Sequence, residues 1–405
     1  MDFDPTSAEA VSDPYPVFAA VRGSTPVRWH DGLGMYVTYG YAEADAVLRD
    51  RRLGRIWTLR WPAESLPAYT LLHVHSMLEN EPPVHTRLRR LVAAGFGRGQ
   101  VERLRPRIAA VAGELADGLA DHFPATVDLL PAYAEPLPVA VIAALLGVPD
   151  SDRGLLRPWS NAIVKLYEYR VTRETRVAAE RAAAEYVDYV RSLIAYRRRE
   201  PGDDLLSELI GIRDADGSRL SEDELVATAV LLQMAGHEAS VNVVGNGVLA
   251  LLRHPDQLAR LRAEPGLLEP AVEELIRYDS PLHLFERTAK QDAEVAGVTV
   301  RAGQKIAALL GAANRDPAVF ADPDRLDVGR VVNPHLGFGA GIHYCLGAPL
   351  ARVELQVALA TLLGRFPRLA LAGEPVRRPE FVLRGLASLP VSVDPGGGRS
   401  SSTGR

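Results

Sequence analysis

From Glu222 to His254 the chain reads EDELVATAVLLQMAGHEASVNVVGNGVLALLRH, apolar on nearly all sides over about thirty residues. A helix without a polar face belongs inside a molecule, so this run predicts a long helix through the centre. Ser221 followed by Glu224 is a capping box for its start. A second periodic run, LGAPLARVELQVALATLLGRF, places Leu346, Leu350, Val353 and Val357 at helical spacing. Strict alternation is rarer. GMYVTYG around Met35 and AEVAGVTVRAGQKIAALL from Ala293 read as strands and a hairpin of a minor sheet. No repeat period is present, and the whole predicts a mainly helical protein with small β-sheets.

Length and composition narrow this picture. At 405 residues the chain exceeds the usual size of a single core, which leaves one large domain or two fused ones open. No linker-like break interrupts it, so residues 1–394 are expected to form one unit. The Gly- and Ser-rich segment 395–405 reads as a flexible tail. With 47% hydrophobic and 24% charged residues the composition is that of an ordinary globular protein. The first residues are acidic, unlike a signal peptide, and no stretch approaches the roughly 18 apolar residues of a membrane span. A cytoplasmic protein is expected, without a membrane partner. The net charge of −5 argues against nucleic acid as the main partner.

The chain has one cysteine, Cys345, inside HLGFGAGIHYCLG. It sits where a loop turns into the second helix, and a helix N-terminus favours thiolate over thiol. A thiolate is a nucleophile or a metal ligand. Gly339, Gly341 and Gly347 remove side chains and let a large flat group approach the backbone, which suggests a cofactor. The bland alternative is a small buried hydrophobe. A nucleophile would need a base, and His343 is the nearest candidate, but two side chains so close in a tight loop diverge. Zinc would need more ligands than a lone Cys supplies, and the HVH at His73–His75 reads as loop histidine at the surface or in a pocket.

Phe338, Gly341, Cys345 and Gly347 fill every fixed position of the ligand loop of the cytochrome P-450 family, the haem-thiolate monooxygenases, which this chain resembles. EELIR supplies the Glu274 and Arg277 pair that the family carries three residues apart upstream, and Arg330 matches the later Arg that joins it. DPYPVF, EPPVHTRLRRLV, AGHEAS, ERTA and ANRDP resemble further landmarks of the family, in the right order. The resemblance implies the cytochrome P-450 fold, a single large triangular domain that holds haem b between the long central helix and the cysteine loop. It also implies reductive activation of dioxygen. Cys345 is then the axial iron ligand, and a thiolate there favours O–O cleavage.

By the same resemblance His85, Arg89, Arg287 and His343 are partners of the haem propionates, while Phe338, Gly339 and Gly347 shape the cofactor bed. His85 and Arg89 stand i,i+4 on one helix face and so reach the same carboxylate. Solvated surface charge is the plainer reading of each. The family's central helix carries an acid followed by Thr, but here Ala235, Gly236, His237, Glu238, Ala239 and Ser240 follow one another. Ala239 has no hydroxyl to deliver protons. Ser240 lies about 100° further around the helix, out of reach without a kink, which Gly236 would permit. Protons passing through water held by Glu238 and Ser240, aided by a hydroxyl on the substrate, are one reading; room for a bulky substrate at Ala239 is the other.

The resemblance places the substrate among the loop before His85, the region Trp159–Arg181, the central helix, Ala235, His283, Leu284 and Phe285, and the turn from Arg384. Tyr167 and Tyr169 fall in that set. A macrolide-like or other polyketide skeleton, hydroxylated or epoxidised, is expected, with steroids and planar aromatics left open. Electrons would come from NAD(P)H through a ferredoxin and its reductase, with Arg89, Arg90, Arg98 and Arg352 steering an acidic partner to a monomeric enzyme. Ordinary solvated arginines are the alternative, in a chain with only Lys165, Lys290 and Lys305 as lysines. A peroxide-driven peroxygenase and a non-catalytic haem sensor are the rival functions on the same fold.

Overall fold

The central helix forms where the apolar run predicts it, over Glu222–Arg253, with most of its residues buried. The capping box closes as expected: the Glu224 amide donates to Ser221 Oγ at 3.2 Å and the Ser221 amide to Glu224 Oε2 at 2.8 Å. The structure, a computed structural model, describes residues 3–394 apart from 24, 57–60, 169, 213–216 and 218, and the side chains of these except at 94 and 98. The tail 395–405 and Tyr169 therefore lie outside the described residues.

Helices pack round the central one. Pro136–Leu145 approaches so closely that a Cβ at Gly236 would stand 2.6 Å from Ile142 Cγ1. Gly236 thus serves helix contact, and the helix runs through it unbroken. A single apolar cluster joins residues such as Leu88, Ile108, Leu130, Val244, Leu275 and Leu359 from six segments. No helix among the described residues is long and apolar enough to cross a membrane.

The predicted strand at Met35–Thr38 belongs to a five-stranded sheet with the order Val27–His30, Met35–Thr38, Lys305–Leu309, Leu284–Ala289, Leu53–Gly54. Met35–Thr38 runs parallel to Lys305–Leu309, and the other neighbours are antiparallel. The segment from Ala293 divides: Ala293–Val295 and Val298–Val300 make a hairpin of their own, turned at Ala296 and Gly297, both with positive φ. Its continuation enters the large sheet. His73 is helical, in Pro67–Val74, where a loop was expected; the apolar residues Tyr69 and Leu72 bury that side of the helix.

Glu274 and Arg277 come together on the helix Leu268–Tyr278 with no exposed surface. Arg277 grips both carboxylate oxygens at 2.8 Å, and Arg330 Nε donates to Glu274 Oε2 at 3.0 Å. The Asp327 amide and Asn333 Nδ2 complete the shell around that carboxylate. Every formal charge here is desolvated, so the group holds only as a set. Glu274→Ala leaves two buried guanidinium groups facing each other, and urea titration should show a loss of about 3–5 kcal/mol of stability.

Candidate active site

Between the central helix and the cysteine loop lies a cavity of about 410 Å³, bordered also by the strand Leu284–Ala289 and the helix Val84–Ala93. The loop owes its shape to backbone. Gly339 and Gly341 both adopt φ of +70°, and a Cβ at Gly341 would stand 2.4 Å from the Leu48 carbonyl oxygen. The Cys345 amide then donates to the Phe338 carbonyl at 2.9 Å, which turns the chain toward the helix Ala348–Arg365. Gly347 meets nothing nearer than Phe96 at 4.0 Å, so this side of the cavity is smooth.

Burial pushes the Cys345 thiol up, against the opposing pull of the Gly347 and Ala348 amides and of Arg89 and Arg352. The helix end thus does not outweigh desolvation, contrary to the expectation from sequence. A bound metal ion would reverse that balance, because a coordinating thiol is deprotonated outright.

Two buried side chains on the cavity wall, His85 and Arg287, are short of partners. His85 is 3% exposed, and neither ring nitrogen has a hydrogen-bond partner. Its pKa falls to about 4, first through burial and then through the neighbouring His343, whose ring centre is 4.4 Å away. Arg287 is 1% exposed and its Nη2 is unpaired, although Nη1 reaches the Glu286 carbonyl. Burial, with Arg55 close by, brings its pKa down to about 9. His343 Nε2 is 2.9 Å from Glu81, and Arg89 donates to the Tyr344 carbonyl at 2.7 Å. Buried donors without acceptors are costly, and a ligand carrying carboxylates would satisfy them. Haem fits this set of groups: a thiol at one wall, glycine-smoothed backbone beside it, and the unpaired nitrogens of Arg287 and His85 along the cavity.

Glu238 and Ser240 both border the cavity, as do Ala235, Gly236 and Ala239. Glu238 Oε1 has no hydrogen-bond partner, while Arg378 stands 3.9 Å from Oε2 and His237 3.5 Å from Oε1. Leu284, Phe285, Phe338 and Tyr167 line the cavity as expected. His283 does not. It is fully buried among Tyr15, Phe18 and Phe381, because Leu284 and Phe285 occupy the cavity side of that segment. Arg384 is likewise absent from the wall: Asp279 takes its Nε at 2.7 Å, and Val382 and Leu383 line the cavity instead.

Of the arginines expected at the surface, Arg352 is held by Glu273 at 2.7 Å and lies over the Phe338 ring, and Arg89 turns inward. The Arg98 side chain lies outside the described residues. Arg55 and Glu79 were not anticipated. They pair with each other on the cavity wall, with Arg55 over the Phe285 ring at 4.5 Å, and neither carries a motif or a telling spacing.

A profile of the cytochrome P450 family matches residues 71–390. The chain is 41% identical over 398 residues to the cytochrome P450 monooxygenase PikC of Streptomyces venezuelae, covering 96% of this chain and 94% of that one. It is 41% identical over 396 residues to the 6-deoxyerythronolide B hydroxylase of Saccharopolyspora erythraea, covering 94% and 96%. Among solved structures it resembles P450BioI in complex with acyl carrier protein ligated to hexadecenoic acid, with a TM-score of 0.90, 36% identity and coverage of 96% and 100%. The fold is accordingly the mainly helical one that the motifs implied. The chain belongs to the cytochrome P450 family of haem-thiolate monooxygenases.

Proposed function

We propose that this monooxygenase oxygenates a polyketide-like secondary metabolite, of macrolide size and bearing hydroxyl groups, using electrons passed from NAD(P)H through a ferredoxin and its reductase. The observation that carries the site assignment is the group of unpartnered buried nitrogens, His85 Nδ1 and Nε2 and Arg287 Nη2, around a cavity that ends on Cys345. When bound, haem supplies the activation of dioxygen. Cys345 ligates it, while His85, Arg89, Arg287 and His343 take its propionates, with Arg55 beside them. Gly339 and Gly347 would leave it room, and Phe338, which lines the same cavity, would help to hold it. The mostly apolar wall from Leu284, Phe285, Leu231 and Val243 holds the substrate and excludes bulk water.

Glu238 borders the cavity with one carboxylate oxygen left without a hydrogen-bond partner and is the residue through which protons pass, with Ser240 helping to hold water. Ala239 offers no hydroxyl, and the helix is continuous through it. The substrate therefore supplies the missing group. One relative is named a 6-deoxyerythronolide B hydroxylase and another a polyketide biosynthesis cytochrome P450, which supports the substrate class. Because a solved relative holds an acyl carrier protein, carrier-bound thioesters belong in the substrate library. Ala239 also favours a second reading, a peroxygenase, and turnover with hydrogen peroxide in the absence of ferredoxin would reveal it.

Optical titration of the ferric holoenzyme against such a library tests the substrate class, with a spin-state shift for hydroxyl-bearing macrocycles as the expected result. Two variants test the residues. Arg287→Met removes an unpaired buried cation, so the haem-free protein should melt at higher temperature while haem transfer to apomyoglobin becomes faster by about tenfold or more. Ala239→Thr should raise the fraction of reductant converted to product for deoxy substrates more than for hydroxylated ones. Equal coupling before and after substitution for both substrates would rule out assistance by the substrate.

A further inference from the structure

Apart from the groups assigned to haem, a line of charged side chains runs from the cavity border toward the surface. Glu238 stands on the central helix and borders the cavity. Arg378 follows the strand Val376–Arg377, and its Nε donates to the Leu386 carbonyl at 3.1 Å. With Nε held there, its two terminal nitrogens face one carboxylate each. Nη1 lies 3.9 Å from Glu238 Oε2, and Nη2 lies 3.9 Å from Glu135 Oε1. Both gaps exceed a hydrogen bond, so the guanidinium acts on the two carboxylates through its charge.

Glu135 precedes the helix Pro136–Leu145 and is 5% exposed. It is paired with Arg157, whose side chain is 39% exposed. Two buried carboxylates thus alternate with two partly exposed cations between solvent and the cavity border. A guanidinium does not release its proton in a protein, so only the carboxylates can pass one on. Burial raises the pKa of Glu135 against the pull of Arg157 and Arg378, and Asp128 adds to the rise. Glu135 therefore takes up a proton more readily than an ordinary carboxylate. At the inner end His237, next to Glu238 on the same helix, stands 3.5 Å from Oε1.

We propose that protons reach Glu238 from the surface by way of Glu135, and that Arg378 is the positioning residue that keeps the two carboxylates in one path. This rests on the reading of Glu238 as the residue through which protons pass, and it adds how Glu238 is refilled. The Glu135 carboxyl releases its proton to water, the Glu238 carboxylate takes one up from that water, and Glu135 is protonated again from solvent. One proton enters for each that leaves Glu238, no electron moves, and Arg378 keeps its own protons throughout.

The test makes two measurements on the holoenzyme. Infrared difference spectra of the ferric protein against pH read the carbonyl stretch of each protonated carboxyl, assigned through Glu135→Gln and Glu238→Gln. Glu135→Asp, which keeps the acid beside Arg157, shifts its band and assigns it even where the amide does not fold. Arg378→Met should raise the titration midpoint of both bands, because a shared cation is lost. The second measurement is ferredoxin-fed consumption of dioxygen, with cyclododecanol added to displace bulk water from the cavity. It takes two electrons and two protons whether hydrogen peroxide or oxygenated product and water result. Glu238→Gln should slow it about tenfold or more and enlarge its solvent deuterium isotope effect. Glu135→Gln should act in the same direction, and Glu135→Asp should restore most of that loss. The double variant should be no slower than Glu238→Gln alone, as for groups acting in series, whereas independent sites multiply their effects. Full activity in Glu135→Gln, multiplied losses in the double variant, or an Arg378→Met that moves only the Glu135 band would overturn the path. A loss confined to Glu238→Gln removes only the route through Glu135; no change in rate or isotope effect in Glu238→Gln would instead strike the role of Glu238 itself.

Discussion

The site depends on one carboxylate that has no access to water. Glu274 binds Arg277 and Arg330, and Arg277 reaches on to the Asn314 carbonyl at 2.8 Å. The Asn314 side chain accepts the Leu336 amide at 2.7 Å, at the entrance to the cysteine loop. Two residues later the Phe338 carbonyl accepts from the Cys345 amide. The thiol is thus located by a chain of buried hydrogen bonds that begins on a different helix. At the other edge of the loop, Gly341 against the Leu48 carbonyl oxygen sets the limit of approach. Each bond in the chain is modest in water and stringent in a dry interior, where an unmet partner costs the full desolvation of its group.

The same principle, with the sign reversed, shapes the cavity. Arg287 and His85 are buried without the acceptors that Glu274 gives Arg277. One group is closed upon itself; the other is left incomplete within the fold and gains from an anionic ligand. Stability and cofactor affinity are therefore opposed at Arg287 and aligned at Arg277. The pKa of His85 is depressed first by burial and then by its basic neighbours His343 and Arg89.

How much of this the sequence carries depends on the range of the interaction. The central helix and its cap are local patterns, and both were legible. The cysteine loop and the Glu274–Arg277 pair were legible as spacings. His283 was misplaced because the strand order around it cannot be read from PLHLF: only the packed structure shows Phe18 and Phe381 taking that side chain. Arg55 and Glu79 were invisible for a related reason, since they are 24 residues apart and meet only on the cavity wall. The thiol's preference also depended on tertiary burial, which outweighs the helix end.

Gly236 shows how packing bears on chemistry. Its missing side chain suggested freedom to kink, yet Ile142 fills the space beside it and the helix continues unbroken. Consecutive residues of an α-helix are separated by about 100°, so Ser240 points away from the direction that Ala239 takes. A hydroxyl needed along that direction has to arrive with the substrate, and a substrate that brings one must be held in a defined orientation. A rigid ring meets that demand more readily than a flexible chain, because fewer torsions have to be fixed on binding.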